Sequence, residues 1–102
     1  MKEKVYTIDE IKEILSHLLK NEPVDEVILF GSYAKETADK DSDIDLVIDS
    51  KERLLGFKLY SLISQIEDTF NKQVDGFEKS EIIENSKIDK EIKKTGVVIY
   101  EK

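Results

Sequence analysis

The pair Gly31-Ser32 closes one apolar run, and ten residues later Asp43-Ile44-Asp45 opens another. Side chains two apart along a strand share a face, so Asp43 and Asp45 would project together while Ile44 turns to the core. Two carboxylates this close repel each other unless a cation lies between them. A hard divalent ion such as Mg2+ accepts such oxygens and keeps waters and phosphates as its other ligands. A glycine after a strand lets the backbone approach an anion closely, and a serine adds hydroxyl and amide donors. If a helix starts there, its N-terminal amides face the same anion.

The chemistry this pattern suits is that of a metal-complexed phosphate. Taken alone, Asp39, Asp41, Asp43 and Asp45 also describe a solvated acidic loop. The Gly-Ser pair, at a fixed distance and bounding an apolar run of its own, favours the site. A calcium loop is the other acidic reading, since Asp41, Asp43, Asp45 and Glu52 fall at the first, third, fifth and twelfth positions of an EF-hand. Its sharp turn requires glycine at the sixth position, where this chain has Leu46.

The surrounding pattern supplies elements to hold these residues. Thr7-Ile8-Asp9-Glu10 reads as a capping box, followed at helical spacing by Ile8, Ile11, Ile14, Leu15, Leu18 and Leu19 and stopped by Asn21–Pro23. Val27–Phe30 is a short buried strand. Tyr33–Ala38 reads as one or two helical turns or an irregular loop, and Ile44–Ile48 as the second strand. Leu55, Leu59, Leu62, Ile66 and Phe70 lie on one face of a helix expected over Lys51–Phe70. Gln73–Phe77 follows as a third strand, Ile82–Lys94 as one or two helices, and Val97–Tyr100 as a last strand after Gly96. This order points to a mixed sheet with helices packed on one side.

Bulk properties narrow the class. The 102 residues fit one domain spanning 1–102, with 39% hydrophobic and 38% charged residues. A net charge of −7 with the single arginine Arg53 argues against an extended nucleic-acid partner, though not against a nucleotide arriving with its metal. Cysteine is absent, which excludes disulfides and thiolate chemistry. MKEKVYTIDEIKE lacks the apolar core of a leader, and no apolar run is long enough to span a bilayer. A cytoplasmic protein without a membrane partner is expected. His17, beside the apolar stripe of the first helix, reads as a surface or boundary residue. Tyr33 reads as packing, with contact to a nucleotide as the alternative.

Gly31-Ser32, ten residues, then Asp43-Ile44-Asp45, within GSYAK…DSDIDL, resembles the signature of the DNA-polymerase-β-like nucleotidyltransferases. With its flanks Phe30, Ser42 and Leu46, and with the chain's size, it is similar to the smallest members, the minimal nucleotidyltransferases (MNT). The resemblance covers about residues 8–101. It implies an α/β (α+β) fold, a short mixed β-sheet flanked by helices. It also implies two Mg2+ ions held by Asp43, Asp45 and a third carboxylate, with Asp75 the matching candidate, while Gly31, Ser32 and Lys35 face the phosphates of ATP. Asp75-Gly76 is equally a favoured hairpin-turn dipeptide.

The implied reaction is transfer of AMP to a hydroxyl, with a tyrosine of a helical HEPN partner as acceptor and the chain as antitoxin. The alternative is a weakly active or inactive module that neutralises the partner by docking; a homo-oligomer is a further option. Many members carry arginine and glycine where this chain has Lys35 and Glu36. Lysine offers phosphate a point charge but no two-pronged grip.

Overall fold

The computed structural model describes residues 4–102, so the first three residues of the stretch read for a leader lie outside it. The first helix, α1 (Ile8–Leu18), begins as expected. The Thr7 hydroxyl accepts the Glu10 N–H at 3.0 Å, and the Glu10 carboxylate accepts the Thr7 N–H at 2.9 Å. Strands β1 (Glu26–Phe30) and β2 (Ile44–Asp49) follow, then α2 (Phe57–Phe70), β3 (Val74–Glu78), α3 (Lys87–Thr95) and β4 (Val97–Glu101). The strands form one sheet in the order β3-β2-β1-β4. β1 pairs antiparallel with β2 and β4, and β2 pairs parallel with β3. A parallel pair needs a crossover, which α2 provides.

Alternation divides the sheet into two faces. Val27, Leu29, Ile44, Leu46 and Ile48 are fully buried and join Ile11 and Leu15 of α1 and Leu62 and Ile66 of α2 in the core. Asp45 and Val47 of β2 point to the other face, beside Phe30 and Ile28 of β1 and Asp75 and Phe77 of β3. This is the expected mixed sheet flanked by helices. It differs from helices on one side only in α3, which crosses the second face over β1. There a Cβ on Gly96 would meet Ile28 Cγ2 at 3.1 Å.

One boundary moves for a backbone reason. The helix expected from Lys51 begins at Phe57, because Lys51, Glu52 and Gly56 all have positive φ (53°, 65° and 57°) and turn the chain first. Leu55 therefore precedes the helix and is 40% exposed. What holds this loop is Glu78, which stands in a stretch rich in charged residues and is nonetheless fully buried in the fold. Its carboxylate accepts the Ser50 hydroxyl and the N–H groups of Ser50 (2.9 Å), Glu52 (3.3 Å) and Ser80 (2.8 Å). Asp75-Gly76 lies in mid-strand, so the hairpin-turn reading is excluded. Among the described residues no helix is long and apolar enough to cross a membrane.

Candidate active site

The register of the sheet brings the singled-out carboxylates together. Asp45 stands opposite Phe30 on one side and Asp75 on the other, and Asp43 precedes β2 by one residue. Paired positions share a face, so Asp45 and Asp75 point the same way although thirty residues separate them. Burial raises the Asp45 carboxyl to about 6, reinforced by the charges of Asp75 and Asp43, a hydrogen bond with Asp75, and the charge of Glu91. Gln73 Nε2 donates to Asp75 Oδ1 at 3.4 Å. Asp39 and Asp41 remain exposed in the preceding loop, where Asp39 accepts the Asp41 N–H at 2.9 Å.

Gly31 has φ +77°, and a Cβ there would overlap the Asp45 carboxylate. Only glycine satisfies both the backbone and the close approach. Its N–H is donated to Thr95 Oγ1 at 3.0 Å, and the Thr95 hydroxyl donates to Glu91 O at 2.9 Å. Gly31 thus offers an incoming anion room and a turn, while its amide is tied to the end of α3. The chain after it winds tightly: the Lys35 N–H donates to Gly31 O at 3.1 Å and the Thr37 N–H to Ser32 O at 3.0 Å. Lys35 Nζ lies 3.9 Å from a Glu91 carboxylate oxygen on the site's rim. Glu36 has φ +60°, a left-handed conformation that favours glycine, which gives a physical reason for the glycine many members carry there.

Three residues that sequence reasoning passed over support this arrangement. Thr95 and Glu91 arrive from α3, and Lys72 Nζ donates to Lys40 O at 2.8 Å, steadying the loop that leads to Asp43. None carries a local signal, since each acts on a partner more than thirty residues away. Tyr33 is buried, its hydroxyl without a partner among the described residues, under Lys72 Nζ at 6.0 Å from the ring, and so packs in the interior. His17 is exposed on α1, far along the chain from this group. Among the described residues no three acidic or histidine side chains already form a cage that could hold a metal ion. A groove of about 860 Å³ opens beside Asp43 and Asp75, between β3 and α2.

The family model for the polymerase beta nucleotidyltransferase domain matches residues 9–102. The chain belongs to this family. This nucleotidyltransferase is 39% identical over 80 residues to "Putative protein adenylyltransferase MJ1217" of Methanocaldococcus jannaschii, covering 74% of this chain and 82% of the relative. A second relative from that organism, named likewise with MJ1215, is 34% identical over 86 residues, covering 80% of this chain and all of the relative.

Solved structures share the fold. One, described as "Crystal structure of the toxin-antitoxin with AMP-PNP", superposes with a TM-score of 0.74 at 19% identity, over 89% of this chain and 73% of that one. Another holds a tri-AMPylated Shewanella oneidensis HEPN toxin in complex with MNT antitoxin. It superposes with a TM-score of 0.66 at 17% identity, over 89% of this chain and 70% of that one.

Proposed function

We propose that this nucleotidyltransferase transfers AMP from ATP, with Mg2+, to a tyrosine hydroxyl of a helical HEPN-type partner protein, and acts as that partner's antitoxin. The observation that carries the reading is the register that sets Asp45 beside Asp75 in the sheet, with the Asp45 carboxylate lying where a Cβ on Gly31 would be. An all-oxygen, negatively charged donor set suits Mg2+. Asp43, Asp45 and Asp75 are the residues that would hold it. When bound, the metal supplies positive charge against the phosphates and the charge building up in displacement. The names of the curated relatives support a protein acceptor, and the MNT–HEPN neighbours support the partner class.

The remaining work falls to the chain's own groups. Ser32 donates hydrogen bonds to the phosphates, and Lys35 offers them a charge from the turn that follows. The tyrosine oxygen bonds to the α-phosphorus, the bond from that phosphorus to the bridging oxygen breaks, and pyrophosphate leaves. The tyrosine proton passes to an Asp75 carboxylate oxygen, directly or through one water.

The test is incubation with Mg2+ and α-labelled ATP in the presence of the product of the neighbouring gene. Label is expected on that protein and is expected to vanish with Asp43→Asn. Tight association of the two proteins without label would identify the docking module instead.

A further inference from the structure

We infer that the groove beside β3 receives an extended segment of the acceptor protein, which adds to the free edge of the sheet and delivers its hydroxyl to Asp75. This rests on the proposed transfer to a protein and names where that protein binds. In an in-line displacement the attacking and leaving oxygens lie on opposite sides of phosphorus. The turn assigned to the phosphates follows β1 and is tied to α3 through Gly31 and Thr95, so it flanks Asp45 on the β1 side. The opposite flank is β3, with Asp75 beside Asp45. The acceptor therefore approaches over β3, and there the groove of about 860 Å³ lies.

Its wall is a strand edge. Among the described residues β3 pairs with β2 alone. The Ile44 N–H donates to Gln73 O at 3.1 Å, which sets the phase of the parallel ladder. Gln73, Asp75 and Phe77 then face β2, while Val74, Gly76 and Glu78 turn their backbone groups outward. The outward N–H of Val74 is already donated to Glu67 Oε2 at 2.9 Å. Gly76, next to Asp75, packs against α2, where a Cβ would meet Ile63 Cδ1 at 2.6 Å, and the ladder turns its N–H and C=O away from β2. Bare edges of this kind take up a further strand by main-chain hydrogen bonding, with alternate side chains entering the site.

The α2 side of the groove carries one exposed aromatic residue, with a second a helical turn away. Tyr60 lines the groove at 69% exposure, and Phe57, one helical turn before it, is 91% exposed. Large exposed aromatics beside a groove are the usual anchors of a protein partner. Away from Asp43 and Asp75, Asp41, Glu67 and Asp68 outnumber Lys40 and Lys72 along the lining, so a segment with basic flanks fits.

The probe is a capped seven-residue peptide, Lys-Thr-Val-Tyr-Val-Thr-Lys, compared with a copy N-methylated at alternate residues to block strand pairing. At millimolar peptide with ATP and Mg2+, AMP is expected on the tyrosine, and exchange of the Gly76 amide is expected to slow about fivefold. Tyr60→Asp should cut transfer about tenfold while leaving the ATP-induced thermal shift intact. The N-methylated peptide should lose both effects.

Transfer that proceeds equally to the blocked peptide, or without protection at Gly76, overturns the docking inference and leaves the proposed activity standing. Protection at Gly76 with no AMP on the peptide supports docking and counts against the transfer. Protection that grows with protein concentration alone means a second copy occupies the edge, and overturns the inference.

Discussion

Without a cation beside it, Asp45 binds its proton more tightly in the folded chain than in the unfolded one. Its carboxyl is raised by burial and by Asp75 and Asp43, from an ordinary 3.8 to about 6. The contribution of this residue to stability is therefore full below pH 3.8 and is lost as pH rises through 6. Two pKa units correspond to roughly 3 kcal/mol, which solvent around a half-exposed group reduces to about 1–2 kcal/mol. Asp45→Asn is expected to raise the melting temperature at pH 7 by about 5 °C without divalent ions, and to abolish nucleotide transfer. Calorimetry in chelator checks the first part; a lowered melting temperature would show that the carboxylates do not strain the fold. The pairing of Asp43 with Asp45 was legible from spacing two along a strand. The pull of Asp75 on Asp45 was not, because register between strands thirty residues apart has no local signature.

Glu78 acts at the scale of the elements, and its carboxyl is shifted in the opposite direction to that of Asp45. Desolvation raises its carboxyl, but hydrogen bonds from the Ser50 hydroxyl and from the amides of Ser80 and Ser50 outweigh this and hold it at about 2. Its contribution is present above the ordinary value of 4.5 and is lost as pH falls through 2. It joins the end of β3 to the loop after β2, setting where α2 begins. In Glu78→Gln the amide nitrogen replaces one acceptor and meets donors, so urea unfolding at pH 7 should show a loss of about 2–3 kcal/mol. The variant should also lack the wild-type decline between pH 4.5 and 2. An unchanged acid limb would reassign that decline to other carboxylates. In the sequence, Glu78 stands among charged residues and is indistinguishable from its solvated neighbours.

At the scale of the molecule, the site is closed by a helix from the far end of the chain. Thr95 lies 64 residues from Gly31, yet its hydroxyl accepts the Gly31 N–H and fixes the turn against α3. Thr95→Val removes that acceptor and leaves a part-buried amide unpaired, at a cost of about 1–3 kcal/mol. The ATP-induced thermal shift should shrink in Thr95→Val and be retained in Thr95→Ser, which keeps the hydroxyl. Equal shifts in both would show that the turn holds its shape without α3.

Sequence alone determined what depends on near neighbours. The capping box of α1, the apolar runs of β1 and β2, and the alternation that aligns Asp43 with Asp45 all follow from spacing within a few residues. So does the Gly-Ser turn, since a glycine at the end of an apolar run marks a place where the backbone can turn. Tertiary structure decided the rest: the parallel register that sets Asp75 against Asp45, the face on which α3 lies, the burial of Glu78 and the bare edge at Gly76. The physical reason is that side-chain periodicity identifies an element and its buried face. Which strands pair, and in what register, is a free-energy choice made only when distant segments meet in one core.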